Sequence, residues 1–505
     1  MGYIWFTRIQ IIIMSKTINL FEFVKYSWEK SEGLKDLPKK KKFSDELENV
    51  LNHIWLERNK FIPSENLYYV SKSKQQRFID FRKKEIVPRN WIGTIHFRGK
   101  EDEYIINLLP KIFHNENKSL NEKEINGVFT HILWWLSGSE KQNYSTVENS
   151  LEALESDLLE VMVYMFSEYT LDVFSSNSYN YYETVEEDLQ TVKGYTNFNQ
   201  YVNNYARGNH HIIPCVYDSF QYDNKFNQIV KYVARLLKDF TKNTATKRNL
   251  EELLFILDEV EYRTVTIEDC DQVKLNPIYT EFKTILDNCR LFLSSLSVYK
   301  WKDDYNVFAL LIPSEKLFEN FIFSIFKNNQ GDKIKRVGRS RPGRSYLAKQ
   351  LPDKNRFKML SDIVLKLVSD DYIILDTKYK KIYNSNIEDD ELDPVYNISQ
   401  SDIYQMVSYA IASGVSKIGL IYPSLPSEDK NKELPIYEIS DELSNGKLIR
   451  IFPFKVDIIH REGLEFEEIG KLEDVFQEAK NKLIHQLHNV VEKISYFKHE
   501  VSSQE

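Results

Sequence analysis

The sequence predicts a mixed α/β (α+β) protein. A mostly helical first and middle part carries a β-hairpin near the amino end, and a mixed sheet flanked by helices follows. Three observations carry this. The stretch "NWIGTIHFRGKEDEYIINLLPKIF" (90–113) sets two β-rich runs around the polar "RGKEDE", the pattern of a hairpin. Between 120 and 300, segments such as "VENSLEALESDLLEVMVYMFSEY" and "NKFNQIVKYVARLLKDF" repeat apolar residues at i, i+3, i+4 and i+7. From about 310, a helix, several strands, a helix and another strand follow in short order, as in an α/β domain.

Along the chain, "MGYIWFTRIQIIIMSK" is apolar but short and broken by Arg8, a poor signal peptide and too short to span a membrane. Met14 offers an alternative start. Residues 15–60 are expected to be helical and charged, with the lysine run Lys39–Lys42 on a solvated face. "SSNSYNYYETVEED" (175–188) is polar and expected to be a loop. "PSEKLFENFIFSIF" (313–326) predicts a helix with Glu319 amid apolar residues. "SQSDIYQMVSYAIASG" (399–414) predicts another, with Ser399 and Ser401 as cap candidates and Gly414 as its stop. "KIGLIYP" (417–423) reads as a buried strand. In 471–496, Phe476, Leu483, Leu487, Val490 and Ile494 line one helical stripe. The divisions fall at 1–120, 121–305 and 306–505.

The net charge of −8 excludes a globally basic nucleic-acid binder, so any such surface must be local. Three cysteines, Cys215, Cys270 and Cys289, at no metal-like spacing suit a reducing cytoplasm rather than a disulfide framework. No other stretch approaches 18 apolar residues, so a soluble, cytoplasmic chain is expected.

The chemistry concentrates in "SDIVLKLVSDDYIILDTKYKK" (361–381), read as two strands joined by a polar turn. Asp376 and Lys378 share a face because strand side chains alternate. With Ser369-Asp370-Asp371 as the loop, Val368 pairs with Tyr372, Val364 lies opposite Asp376, and Asp362 lies opposite Lys378. The three polar groups then converge, whereas a one-residue change in loop length sends Asp362 to the other face unless a bulge corrects it. Two carboxylates beside an ammonium suit a hard divalent cation such as Mg²⁺. A surface salt-bridge lattice is the plainer alternative, since Asp-x-Lys alone decides nothing. On the following helix Gln405 and Tyr409 are four apart and share a face. Upstream, "KIKRVGRSRPGRSYLAK" (333–349) holds seven Lys or Arg and no acid, with Arg336, Arg339, Arg341 and Arg344 as candidate phosphate contacts on a flexible loop or hairpin tip.

The order helix(Glu), strand(Asp), strand(Asp-x-Lys), helix(Gln-x-x-x-Tyr), strand resembles the PD-(D/E)XK nuclease core. More widely, the chain resembles the McrC family, nuclease subunits of McrBC-type, 5-methylcytosine-dependent (type IV) restriction systems. "WIGTIHF…EYIINLLPKI" (91–112), "VKGYTNFNQYVNNYARGNHHIIPCVYDSFQYDNKFNQIVKYVARLL" (192–237), "LFENFIF", "SDIVL", "LDTKYKK" and "SDIYQMVSYA" carry that resemblance over roughly 90–425. Ser361 stands where the family usually has Pro, and "IEDDELDP" (387–394) looks like an acidic insertion.

The resemblance implies an Mg²⁺-dependent endodeoxyribonuclease subunit. Glu319, Asp362 and Asp376 would hold metal, Lys378 would position water, and Gln405 would orient substrate or a ligand, supported by Tyr409. It implies DNA and an AAA+ GTPase as partners in a hetero-oligomer, with 1–120 as a docking region. No G-x-x-x-x-G-K-[ST] occurs, so GTP is expected on the partner, not on this chain. Two rivals stand: a stand-alone RecB-like repair or end-processing nuclease, and a non-catalytic assembly factor for the motor ring. His210-His211 with Cys215, and His485 with His488, lack a second ligand pair and are read as structural, not as metal sites.

Overall fold

The computed structural model describes residues 14–35, 37, 40–60, 76–98, 102–115, 119–137, 157–177, 179, 181–275, 280–301, 305–341, 346–350, 354–359, 361–380, 398–425, 434–439, 448–460, 464 and 472–496. The expected acidic insertion at 387–394 lies outside them. The mixed α/β class is borne out. By compactness the chain divides into one unit of 1–95, 100–156 and 311–505, and another of 96–99 and 157–310. Residues 100–156 group with both ends of the chain, and the second unit ends at 310.

In the first unit, β1 (Met14–Phe21) runs parallel to β6 (Asp102–Leu109), from Met14↔Asp102 to Phe21↔Leu109. β2 (Tyr26–Ser27), β3 (Ile79–Phe81) and β4 (Glu85–Pro88) form a small antiparallel sheet. β5 (Trp91–Arg98) and β6 are neighbours, which is the predicted hairpin. The helix expected across 15–60 is confined to Lys40–Lys60. Ahead of it Ile18 and Leu20 are buried while Thr17 and Asn19 are exposed, a period of two that suits a strand paired with β6. An aromatic cluster joins the Glu122–Ser137 helix to the carboxyl-terminal part: Trp134 meets Phe321 at 5.0 Å and Phe476 at 5.2 Å between ring centroids.

The second unit is helical, as predicted, but carries β7 (Tyr181–Leu189), β8 (Tyr195–Thr196) and β9 (Ile213–Gln221) in an antiparallel sheet. The segment expected as a loop is thus largely strand. Its Tyr, Thr and Val favour a pleat, and the successive Glu186 and Glu187 are both exposed, so its polarity reports solvent on both sides of a strand rather than a loop. Cys215 is buried on β9, and His210 and His211 are exposed. β10 (Leu296–Trp301) pairs antiparallel with β11 (Tyr305–Pro313).

The remaining strands are β12 (Ile334–Gly338), β13 (Tyr346–Gln350), β14 (Lys354–Lys358), β15 (Ile363–Leu367), β16 (Tyr372–Thr377), β17 (Lys417–Pro423), β18 (Tyr437–Ile439) and β19 (Ile449–Val456). Six of them form one sheet in the order β12-β15-β16-β17-β19-β18, with β16, β17 and β19 mutually parallel. The basic stretch 333–349 is therefore not simply a loop: its start is an edge strand and its end pairs with β14. The helix Leu472–Tyr496 buries the whole predicted stripe, Phe476, Leu483, Leu487, Val490 and Ile494. Gly419 permits this packing, because a Cβ there would lie 2.5 Å from Leu375 Cδ2 and 3.0 Å from Ile494 Cδ1.

Candidate active site

The hairpin register differs from the expected one. Ile363↔Leu375, Val364↔Ile374, Leu365↔Ile373 and Lys366↔Tyr372 are paired, so one step further Asp362 comes level with Asp376, not Lys378. The turn is Val368-Ser369-Asp370, one residue earlier than predicted, closed by Leu367 N donating to Asp371 O at 2.8 Å. Asp370 at φ +63° takes the left-handed position that ends a three-residue hairpin loop. Shifting the loop by one residue moves the register by two, which preserves facing. Asp362, Asp376 and Lys378 therefore still converge.

Asp376 closes a run of four buried residues on β16 and is 1 % exposed. Burial, then the neighbouring Asp362, pushes its carboxyl up to about 7. Asp362 is raised too, first by burial and then by Glu319, even though its Oδ2 accepts from Thr377 N and Oγ1, both at 2.7 Å. Lys378 Nζ lies 2.6 Å from Asp376 Oδ2 and donates to Gln405 Oε1 at 2.7 Å. Burial pulls this ammonium down, but Asp376, Asp402 and Asp362 outweigh it, and the net shift is upward. Lys378 thus stays protonated at neutral pH, a charge that can neutralise an anion but not a base that can accept a proton.

The Gln400–Ser413 helix positions the rest. Ser399 caps it by accepting from Asp402 N, and Gly414 at φ +67° ends it in the left-handed conformation. Gln405 Nε2 donates to Tyr409 Oη at 2.8 Å, so a relay runs Tyr409–Gln405–Lys378–Asp376. The predicted shared face of Gln405 and Tyr409 is real. Asp402 escaped sequence reading: it sits 3.7 Å from Lys378 and binds Lys380 Nζ at 2.8 Å. Its signal was present, because it precedes Gln405 by three positions on the same helix face, and Lys380 follows Lys378 by two.

Glu319, 4 % exposed on the Ser314–Asn328 helix, directs Oε1 to Lys316 Nζ at 2.5 Å and to Arg339. Arg339 also donates to Asn320 Oδ1 at 2.8 Å and lies over the Phe323 ring. Of the other candidate arginines, Arg341 donates to Ser413 O at 2.6 Å and stacks on Tyr372, Arg336 is exposed on β12, and Arg344 lies outside the described residues. His488 Nε2 contacts Asn329 O at 2.8 Å, just beyond the helix that carries Glu319.

Among the described residues no three His, Cys, Asp or Glu side chains close on one point as a ready metal cage. The pair Asp362 and Asp376 nevertheless fits a divalent cation. Asp376 Oδ2 is buried without an aligned hydrogen-bond donor despite the nearby ammonium, and both carboxyls are held above their usual range by burial and by each other's or Glu319's charge. Mg²⁺ needs only one or two carboxylates, because it keeps several waters.

No curated protein matches the chain. Among solved structures, it is similar over 94 % of its length, with TM-score 0.52 and 16 % identity, to all of a chain in a refined half-complex from a tetradecameric assembly of Thermococcus gammatolerans McrB AAA+ hexamers with bound McrC, which is a likeness of fold. A chain of the Thermococcus gammatolerans McrBC complex aligns with 62 % of this chain and 88 % of that one, at 17 % identity and TM-score 0.43. The family described as McrBC 5-methylcytosine restriction system component matches residues 86–423, which include both carboxylates, Lys378 and Gln405. By that match over most of its length, the chain belongs to the McrBC 5-methylcytosine restriction system component family.

Proposed function

We propose that this chain is the Mg²⁺-dependent, DNA-cleaving subunit of a modification-dependent restriction complex and stimulates a partner AAA+ GTPase. One observation carries the reading: a half-buried ammonium, Lys378, held between Asp376 and Gln405 beside the second carboxylate Asp362. Asp362 and Asp376 hold the cation, which when bound polarises the scissile phosphate and makes water a better nucleophile. Lys378 offsets charge that develops on the phosphate, and Gln405, steadied by Tyr409, keeps the ammonium from swinging away. Glu319 and Arg339 form a neighbouring pair at the same end of the sheet.

Partner stimulation is supported by a separate surface. The helix Phe198–Ala206 buries none of its residues, and Phe198, Val202 and Tyr205 are 72 %, 62 % and 66 % exposed. An apolar face this open marks an interaction site.

The purified chain, with and without its AAA+ partner, is to be incubated with modified and unmodified plasmid in Mg²⁺ or EDTA. Cleavage only with partner, nucleotide, modification and Mg²⁺ is expected. Cleavage by the chain alone establishes the stand-alone nuclease, and stimulated hydrolysis without cleavage establishes the assembly factor. The chain lacks a P-loop, so equilibrium dialysis is expected to show no GTP or ATP bound to it alone, while it accelerates hydrolysis by the partner. Partner turnover unchanged by the chain refutes stimulation.

Among the described arginines of the candidate phosphate set Arg336 is exposed, whereas Arg339 and Arg341 hold protein groups. Arg336→Ala is expected to flatten log K against log salt by about 0.9 if one duplex phosphate contact is lost. The slope is read from low to physiological salt with cleavage blocked by Ca²⁺, and an unchanged slope removes Arg336 from the interface.

A further inference from the structure

Tyr379 lies between two lysines of the site in sequence, yet its side chain keeps different company. It is buried, its ring packs against Phe318 at 5.9 Å between centroids, and the Lys111 ammonium stands 4.6 Å from its centre. Phe318 is the residue before Glu319. The same ammonium stands 4.8 Å from the Phe23 ring, so one cation is clamped between two aromatic faces.

Glu22 completes the node. It is 1 % exposed, its Oε1 accepts from Ser314 Oγ at 2.5 Å, and its Oε2 accepts from Lys111 N at 3.0 Å. Ser314 is the first residue of the helix that carries Glu319, and the preceding Pro313 offers no side-chain cap. The Glu22 carboxyl thus ties down the first side chain of this helix, whose backbone Ser314 N donates to Asn90 O at 3.2 Å.

An independent observation comes from the backbone. Phe23 has φ +62°, in the left-handed region that a bulky residue rarely enters. Glu22 N donates to Leu109 O at 3.0 Å, Phe23 N to Pro88 O at 2.8 Å and Val24 N to Phe21 O at 3.3 Å, so both ends of the excursion are tied down. Such conformations persist where the surroundings over-determine them, often next to a working site. Here the excursion places the Phe23 ring against Lys111 and, through it, Tyr379. The backbone beyond β16 is meanwhile pinned by Lys378 N donating to Ile421 O at 2.8 Å. Residues 378 and 379 are therefore gripped by β17 through the main chain and by Lys111 and Phe318 through the tyrosine ring.

We propose that Lys111 and Tyr379 are positioning residues of the cleavage centre: the ammonium clamped between Phe23 and Tyr379, with Glu22 holding Ser314, keeps Lys378 and the Glu319 helix in place around Asp362 and Asp376. The proposal rests on the nuclease reading for its consequence, but the brace itself is testable without cleavage. Its logic is geometric. Lys378 works only if its ammonium reaches Asp376 and Gln405 together, and that reach is set by where the chain leaves β16.

The test compares wild type with Lys111→Met, Phe23→Ala, Tyr379→Leu and Tyr379→Phe in the full chain bound to its partner. Competitive acylation followed by mass spectrometry reports the reactivity of Lys378, independently of any nuclease activity. Single-turnover cleavage and DNA affinity are measured alongside. Lys111→Met, Phe23→Ala and Tyr379→Leu are expected to raise Lys378 labelling several-fold and to slow cleavage by up to about 100-fold with DNA affinity within about twofold, because small misplacements cost rate rather than binding. Tyr379→Phe keeps the ring but loses the hydroxyl beside Glu22, and is expected to lie between wild type and Tyr379→Leu in both readouts. Phe23 is partly exposed, so Phe23→Ala and Lys111→Met decide the matter if Tyr379→Leu does not fold. Folded Lys111→Met and Phe23→Ala chains with wild-type Lys378 labelling overturn the brace, whatever their cleavage rates. Raised labelling in a complex whose wild type cleaves no DNA supports the brace and removes the nuclease reading instead.

Discussion

Asp376→Ala and Lys378→Ala are each expected to abolish Mg²⁺-dependent cleavage while leaving the fold and partner binding intact. Asp376 is one of the two carboxylates that fit the cation, and its Oδ2 faces the ammonium at 2.6 Å. Removing either partner takes away charge stabilisation that is worth at least 10²–10³ in rate for a single well-placed donor, and more where the groups act as a unit. The fold loses little with Asp376. Its raised carboxyl shows that burial already disfavours the charged form, and Lys378 keeps Gln405 and Asp402 as partners. Lys378→Ala is the harsher change, because it leaves Asp376 and Asp362 without their nearest cation. Both variants should melt cooperatively and co-purify with the partner. Nicking of modified plasmid at the wild-type rate by either one sinks the site assignment.

The second large effect concerns stability against pH, and Glu22→Gln exposes it. Burial raises the Glu22 carboxyl to about 7 against an ordinary 4.5, opposed by Lys111 and by its hydrogen bonds from Ser314 and the Lys111 backbone. A folded-state value above the unfolded one means that the folded protein binds the proton more tightly. The stability this group contributes is therefore fully present below about 4.5 and is lost as pH rises through about 7. The difference corresponds to about 3 kcal/mol across that window. Glutamine does not titrate. Denaturant unfolding of both proteins at pH 4.5 and pH 8 should show wild type losing about that much relative to Glu22→Gln. Parallel behaviour of the two proteins across the window refutes the buried, protonated glutamate.

Much of the site was legible because its elements are local. The Glu319 helix, the Ser399-to-Gly414 helix and the carboxyl-terminal stripe follow from periodicity and caps, which depend on neighbours in sequence. Asp362 was placed on the correct face although the register was wrong by two, since an even slip conserves facing. What escaped depends on contacts distant in sequence. β1 is a strand because β6 lies beside it, and β7 because β9 does; neither partner is visible from the segment itself. The arginines show the same limit. Composition marks 333–349 as basic, but only the folded chain shows that Arg339 is spent on Glu319 and Arg341 on Ser413, leaving Arg336 exposed. Asp402 was missed because its residue type is common at the start of a helix, where it is usually explained by the helix dipole alone.

The compact unit that holds the site is interrupted in sequence: residues 1–95 and 100–156 belong with 311–505, while 157–310 form a unit of their own. On the ribosome the order of synthesis is the order of sequence. Glu22 and Lys111 emerge early and wait for Ser314 and Tyr379, on the order of ten seconds to a minute of translation at ordinary rates. The inserted unit has that interval to fold by itself. The sheet bearing Asp376 remains open still longer, because β19 and the helix that covers Gly419 come out last. A centre built this way is assembled only after most of the chain has been made, so its parts meet late in synthesis.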